Sequence, residues 1–143
     1  MRRTRRSLWL FTLILLLLAA PGHGAANSRP ECRVCGMWID QYPQTRHVLT
    51  AKDGTVVMFC SLTCAAKYLR SHPPEARERL QVADYLTTKL VDTRQAVYLV
   101  GSDAPPVMSN TSIIAFASRR QAKKFQRQHG GRFLTFRQAL AVQ

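Results

Sequence analysis

The stretch Phe59-Cys60-Ser61-Leu62-Thr63-Cys64-Ala65-Ala66-Lys67-Tyr68-Leu69-Arg70-Ser71-His72 returns in altered form as Phe116-Ala117-Ser118-Arg119-Arg120-Gln121-Ala122-Lys123-Lys124-Phe125-Gln126-Arg127-Gln128-His129. At this offset of 57 residues, six of the 14 positions are identical and Tyr68 falls on Phe125. Ser61 and Ser118 stand where a helix N-cap belongs. Leu62, Ala65, Ala66 and Leu69 follow at helical spacing. The pattern implies an internal duplication of a strand–helix unit. It also separates packing from chemistry. Phe59, Ser61, Ala65 and Tyr68 have counterparts in the second copy and read as structural. Cys60 falls on Ala117 and Cys64 on Gln121, so these two thiols need a separate reason.

Working outward, Val48–Ala51 and Thr55–Phe59 flank Lys52-Asp53-Gly54, an Asp-Gly hairpin signal between β-prone runs. Pro73-Pro74 is expected to end the first helix. At least one strand is expected within Gln81–Asp92. The second copy has strands over Ala96–Val100 and Ser112–Phe116, joined by a loop with Pro105-Pro106. Its helix runs from the Ser118 cap to His129, where Gly130-Gly131 stops it. Arg132–Phe136 reads as a last strand and Arg137–Val142 as a short helix. The expected fold is α+β, with two similar ββα-type halves in one compact domain. The first half, 32–80, holds the cysteines, and the second, 81–143, has none.

The N-terminus reads as an export address. Met1 to Arg6 carries four arginines and no acid, and Leu8 to Ala20 is uncharged and almost wholly apolar. Small residues follow, so residues 1–26 are expected to be a signal peptide cut after Ala26. Thr4-Arg5-Arg6-Ser7-Leu8 also resembles a twin-arginine signal. The apolar run is short for a hydrocarbon core of about 30 Å at about 1.5 Å per helical residue. Residues 27–31, Asn-Ser-Arg-Pro-Glu, form a polar linker. The formal charge of +13 falls by the four arginines to +9 without this segment. The cations are spread over Arg70–Arg79 and Arg119–Arg137, and an exported chain does not meet nucleic acid. The basic surface suits solvent, a membrane-proximal position or an acidic protein partner.

The chain has four cysteines, Cys32-x-x-Cys35 and Cys60-x-x-x-Cys64, with 24 residues between the pairs. Together they point to a thiol site. Gly36 permits a tight turn after Cys35. Cys64, in the first turn of a helix, is expected near the positive end of the helix dipole, which favours thiolate. Three readings compete: two structural disulfides, a closed tetrahedral Zn(II) site, and a soft-metal carrier site. Methionine favours the third, since thioethers suit Cu(I). Met37 lies two residues past Cys35, and Met108 follows the Pro-Pro loop. Met58 reads as core. His47 precedes a strand and reads as a surface residue, with a ligand role as the lesser alternative. His72 and His129 occupy equivalent helix ends and read as structural. A different class, a thiol–disulfide oxidoreductase using Cys32 and Cys35, is disfavoured because Cys32 follows a linker instead of a strand.

Cys32-Arg33-Val34-Cys35-Gly36-Met37 resembles the opening of the NosL family, copper-binding accessory proteins of nitrous-oxide reductase assembly. Val91–Ser102, Pro106-Val107-Met108, Ile114–Ser118, Gly130-Gly131 and the final helix resemble that family in the same order. Phe59-Cys60-Ser61 with Cys64, set against Cys35, is similar to small YHS/TRASH-type metal modules. The resemblance implies a protein that is not an enzyme. It would bind Cu(I) through Cys32, Cys35, Met37 and Met108, and pass it to a membrane-bound, ABC-type maturation complex and thence to the target cuproenzyme. Cys60 and Cys64 are further candidate ligands, of the same site or of a zinc or disulfide element of their own. The chain departs from the family in two ways. Arg29-Pro30-Glu31 before Cys32 is not a lipobox, so a periplasmic chain, soluble or held by an uncleaved signal, is expected. Many members also lack cysteines where Cys60 and Cys64 sit.

Overall fold

The computed structural model describes residues 29–72 and 77–143. The expected signal peptide, the start of the linker and Pro73-Pro74 lie outside the described residues. A short 3-10 turn, Ile39–Gln41, precedes seven strands and three helices: β1 (His47–Ala51), β2 (Val56–Phe59), α1 (Leu62–Ser71), β3 (Arg77–Ala83), β4 (Leu90–Asp92), β5 (Val97–Ser102), β6 (Ile113–Phe116), α2 (Arg119–His129), β7 (Gly130–Leu134) and α3 (Phe136–Ala141). They build two antiparallel sheets, ordered β2-β1-β3-β4 and β6-β5-β7.

The α+β class holds, and each half goes one strand further than ββα. A central strand pairs with its hairpin partner, a helix follows, and a third strand returns to the central strand's other edge. The order β2-β1-β3 matches β6-β5-β7. The repeated residues explain the match, which is compatible with duplication. Ser61 Oγ accepts from Cys64 N–H, and Ser118 Oγ accepts from Gln121 N–H. Phe59 tilts against Tyr68 at 5.1 Å, and Tyr68 stacks on His72 at 3.6 Å. Phe116 tilts against Phe125 at 5.4 Å, and Phe125 stacks on His129 at 4.0 Å. Each helix is thus pinned to its preceding strand by three rings. Ala65 and Ala122 are fully buried at equivalent positions beneath them.

The Asp-Gly hairpin forms as read. Gly54 has φ +84°, its N–H donates to Ala51 O, and Thr55 N–H donates to Asp53 Oδ1. Gly130-Gly131 does more than stop a helix. Both have positive φ, and the strand begins on Gly130 itself. A Cβ on Gly131 would lie 3.0 Å from Ser102 N and Val100 O, so only glycine lets β7 approach β5 there. The stretch expected to hold at least one strand, Gln81–Asp92, contains the end of β3 and all of β4, which extends the first sheet.

The halves are joined by Leu62, Val82, Ala96, Tyr98, Ala115 and Ala139, which form one buried cluster. Among the polar contacts that cross the same seam, two involve buried titratable side chains. Asp84, in the β3–β4 turn and almost fully buried, accepts from Leu86 N–H, Thr87 N–H and Thr87 Oγ1. Its other oxygen accepts from Ala117 N–H at the end of β6. Burial opposes its charge, but the donors from Ala117 and Thr87 prevail and hold its pKa below the usual value.

The second contact corrects the surface reading of His47. The residue is 2% exposed at the start of β1. Its Nδ1 lies 3.0 Å from Thr45 O and its Nε2 3.3 Å from Tyr98 Oη. Those partners assign a neutral ring, with Nδ1–H donating to the carbonyl and Nε2 accepting from the phenol. A position before the strand reads as exposed in sequence, but the second sheet covers it.

Burial lowers the His47 pKa to about 4, with the Thr45 hydrogen bond partly opposing. Between that value and the ordinary 6.5, unfolding takes up a proton. Stability from this residue is therefore full above about pH 6.5 and declines as pH falls towards 4, by about 2 kcal/mol between pH 7 and 5. Thermal melts of wild type and His47→Gln over that range measure the effect. The variant is expected to be less stable at pH 7 but to show a flatter acid dependence.

Candidate metal centre

The first cysteine pair stands on a knuckle folded back on itself. Cys32 N–H donates to Met37 O at 2.7 Å, and Gly36 N–H donates to Cys32 O at 2.9 Å. Gly36 has φ +73°, the left-handed conformation that closes the turn. An isolated bridge between Glu31 and Trp38 closes the base. Arg33 N–H donates to Met58 O, which ties the knuckle to the end of β2. Ile39, 3% exposed, anchors it in the core.

The second pair is positioned by the strand–cap–helix junction. Cys60 directly follows β2, and its carbonyl accepts from Thr45 Oγ1 at 2.7 Å. Cys64 lies in the first turn of α1, its N–H on the Ser61 cap. The two pairs meet, and all four Sγ atoms lie within 4.8 Å of one another. Cys35 and Cys60 are 3.5 Å apart, and Cys60 and Cys64 are 3.7 Å apart. All four are free thiols. Cys60 and Cys64 therefore share one cluster with Cys32 and Cys35.

Four thiols this close are electrostatically coupled. Cys60 S–H donates to Cys64, and with Cys35, Cys32 and Ser61 also contributing against burial, the Cys64 pKa is pushed down to about 6. Cys60 moves the other way, held protonated by that same hydrogen bond and by burial. Burial pushes Cys35 up, offset in part by a hydrogen bond from the Met37 backbone. Thiolate is thus favoured at Cys64, while Cys35 and Cys60 are held towards the protonated form. A soft cation bound among these sulfurs would displace thiol protons. The spacing suits this. Metal–sulfur bonds of about 2.3 Å arranged tetrahedrally give sulfur–sulfur edges of about 3.8 Å.

Access is one-sided. Cys32, Cys60 and Cys64 are buried, and only Cys35 reaches partway to solvent. Val34, Met37 and Trp38 stand exposed around it on the same knuckle. Met108 has φ +58° and an exposed side chain, and its neighbour Val107 packs against the cysteine-bearing core. Met37 thus lies on the cysteine-bearing knuckle, and Met108 follows a residue packed against the core that contains the cluster. Met58 is part-buried against the same core, as expected of a packing residue. The His47 nitrogens are engaged elsewhere, which removes its ligand reading. Sequence reasoning missed Thr45 and Asp84. The Asp84-x-x-Thr87 spacing, which suits a side-chain-capped turn, is the signal for the latter.

The α+β fold brings four thiols into one cluster whose donor set suits a soft metal ion. The sequence model of the NosL family matches residues 24–140. The chain is 31% identical over 121 residues to the copper-binding lipoprotein NosL of Stutzerimonas stutzeri, covering 78% of this chain and 63% of that protein's length. Its structure is similar to the crystal structure of the copper chaperone NosL from Shewanella denitrificans. The TM-score is 0.66 at 26% identity, over 78% of this chain and 90% of that one. The chain belongs to the NosL family.

The burial pattern sets an order of thiol reactivity. In the reduced, metal-free protein, a bulky maleimide, which alkylates irreversibly, is expected to react with one fast equivalent at Cys35 and three slow ones. Cys35→Ser should remove the fast phase. Four equal rates would contradict the packing described.

Proposed function

We infer that this protein is an exported Cu(I) carrier that holds the ion in its cysteine cluster and gives it to a cuproenzyme under assembly. The observation that carries the reading is the set of four sulfurs within 4.8 Å, three buried and one at the surface. Thiolate and thioether donors select Cu(I) among biological cations. A carrier also needs an edge at which a recipient's ligands can attack, and Cys35 with the neighbouring Met37 offers one. The names of both relatives, a copper-binding lipoprotein and a copper chaperone, support copper as the cargo. Nothing in either name denotes an enzyme, and binding with transfer is the activity assigned here.

Nitrous-oxide reductase is the proposed target, reached through a membrane-bound maturation complex, on the strength of the family resemblance. The basic, apolar N-terminal run supports export to the periplasm. No helix among the described residues is long and apolar enough to cross a membrane.

One observation favours a second reading. Sulfur spacings of 3.5 and 3.7 Å approach a tetrahedral edge, as structural Zn(II) requires. The oxidoreductase alternative is weaker. Cys32 is buried on a loop and does not stand at a helix N-terminus, where the attacking thiol of such enzymes is activated.

Anaerobic titration of the reduced protein with Cu(I) against a competing chelator separates these readings. Each Cys→Ser variant is expected to weaken Cu(I) binding by about tenfold or more, with smaller losses in Met37→Ala and Met108→Ala. Affinity should rise with pH, because binding displaces thiol protons. If Cys32→Ser and both methionine variants bind like wild type, the copper reading fails. Unfolding on removal of Zn(II) would favour the structural-zinc reading.

A further inference from the structure

On the far face of α1 from its buried cysteine lies a groove of about 590 Å³, walled by α1, β3, the β4–β5 turn and α3. Its size falls within the range of about 300–1,000 Å³ usual for binding clefts. Leu80, Phe136 and Leu140 form its apolar floor. Leu80 also packs against the cysteine-bearing core, so the floor of the groove is one wall of that core.

The rim is cationic in a particular way. Arg70, Arg79, Arg94 and Arg137 surround the opening, with no lysine among the lining residues. The single acid, Asp92, is already satisfied. Its Oδ1 accepts from Arg94 N–H and Nε–H, and its Oδ2 from Arg94 Nη2–H. No salt bridge joins Arg70, Arg79 or Arg137 to an acid among the described residues. Arg79 adds only a longer-range attraction to Asp92, so three guanidinium groups without a salt bridge among the described residues line an apolar floor. Their planar forks match carboxylates in bidentate fashion, which a lysine rim would not. Arginine around an apolar centre is also the composition of interface hot spots.

We propose that this groove is a docking site for an acidic segment of a partner protein, with an apolar side chain seated on the floor and carboxylates on the arginine rim. A concave site favours a peptide over a membrane, because a bilayer surface would touch the rim and leave the floor unfilled. The inference does not depend on which metal the cysteines hold. It assigns recognition to a face distinct from the exposed Cys35 edge.

Fluorescence anisotropy tests it on the folded, metal-free protein at low ionic strength. The probe is a fluorescein-labelled amphipathic peptide with leucine at helical spacing and glutamate elsewhere. Arg70→Ser/Arg137→Ser is expected to weaken binding about tenfold or more. Arg120→Ser/Lys124→Ser, which removes the same charge from α2, should leave it nearly unchanged. All four residues are exposed, so both variants should melt like wild type. The proposal is overturned by equal weakening in both variants, by equal affinity for the glutamine version of the peptide, or by no peptide binding. Binding to phosphatidylglycerol vesicles without peptide binding would overturn it in favour of a lipid surface.

Discussion

Four sulfurs packed within 4.8 Å of one another oppose the build-up of negative charge, because thiolates that close repel. That constraint organises the first half of the protein. Thiolate at Cys64 is favoured because Cys60 donates to it and the residue sits in the first turn of α1. A second and third would repel it at short range and in low dielectric. The frame must therefore hold mutually repelling sulfurs close enough to bind one ion. It does so with backbone. The Cys32–Met37 knuckle is closed by its own hydrogen bonds and tied to Met58, while the Ser61 cap fixes Cys64 relative to Cys60.

The second half repeats this frame without the chemistry. Ser118 caps α2 as Ser61 caps α1, and the ring stack Phe116–Phe125–His129 repeats Phe59–Tyr68–His72. Ala117 stands where Cys60 would be, and its N–H serves the buried Asp84. The unit thus stabilises its thiol-bearing neighbour through the shared apolar cluster, Asp84 and the His47–Tyr98 contact. Full burial of a ring or leucine contributes about 1.5–3 kcal/mol. Tyr98, Leu62 and Val82, all buried at this seam, make it a main source of stability.

Much of this was legible because local rules and global packing agree. Asp53-Gly54, the two serine caps and the repeated aromatic and histidine positions each state a local conformation that the fold keeps. The four cysteines were legible as a thiol site by spacing, but not as one cluster. Whether the two pairs meet depends on how the 30–39 knuckle folds onto β2, and backbone hydrogen bonds with no side-chain signature decide that. His47 was misread for a related reason, since its burial comes from a sheet about fifty residues away in sequence. Gly130-Gly131 read only as a helix stop, because the close approach of β7 to β5 is a tertiary demand. The methionines carried a chemical signal without a geometric one. Met37 shares the knuckle with Cys32 and Cys35, and Met108 follows Val107, which packs against the cysteine-bearing core.

The central claim is that all four cysteines form one centre for a soft ion. X-ray absorption spectroscopy of the Cu(I)-loaded protein tests it most directly, with Cys60→Ser and Cys64→Ser measured beside wild type. The account expects a first shell made only of sulfur, with a changed sulfur shell or weaker loading in each variant. A shell containing nitrogen or oxygen in wild type, or spectra and loading unaltered by either substitution, would contradict it.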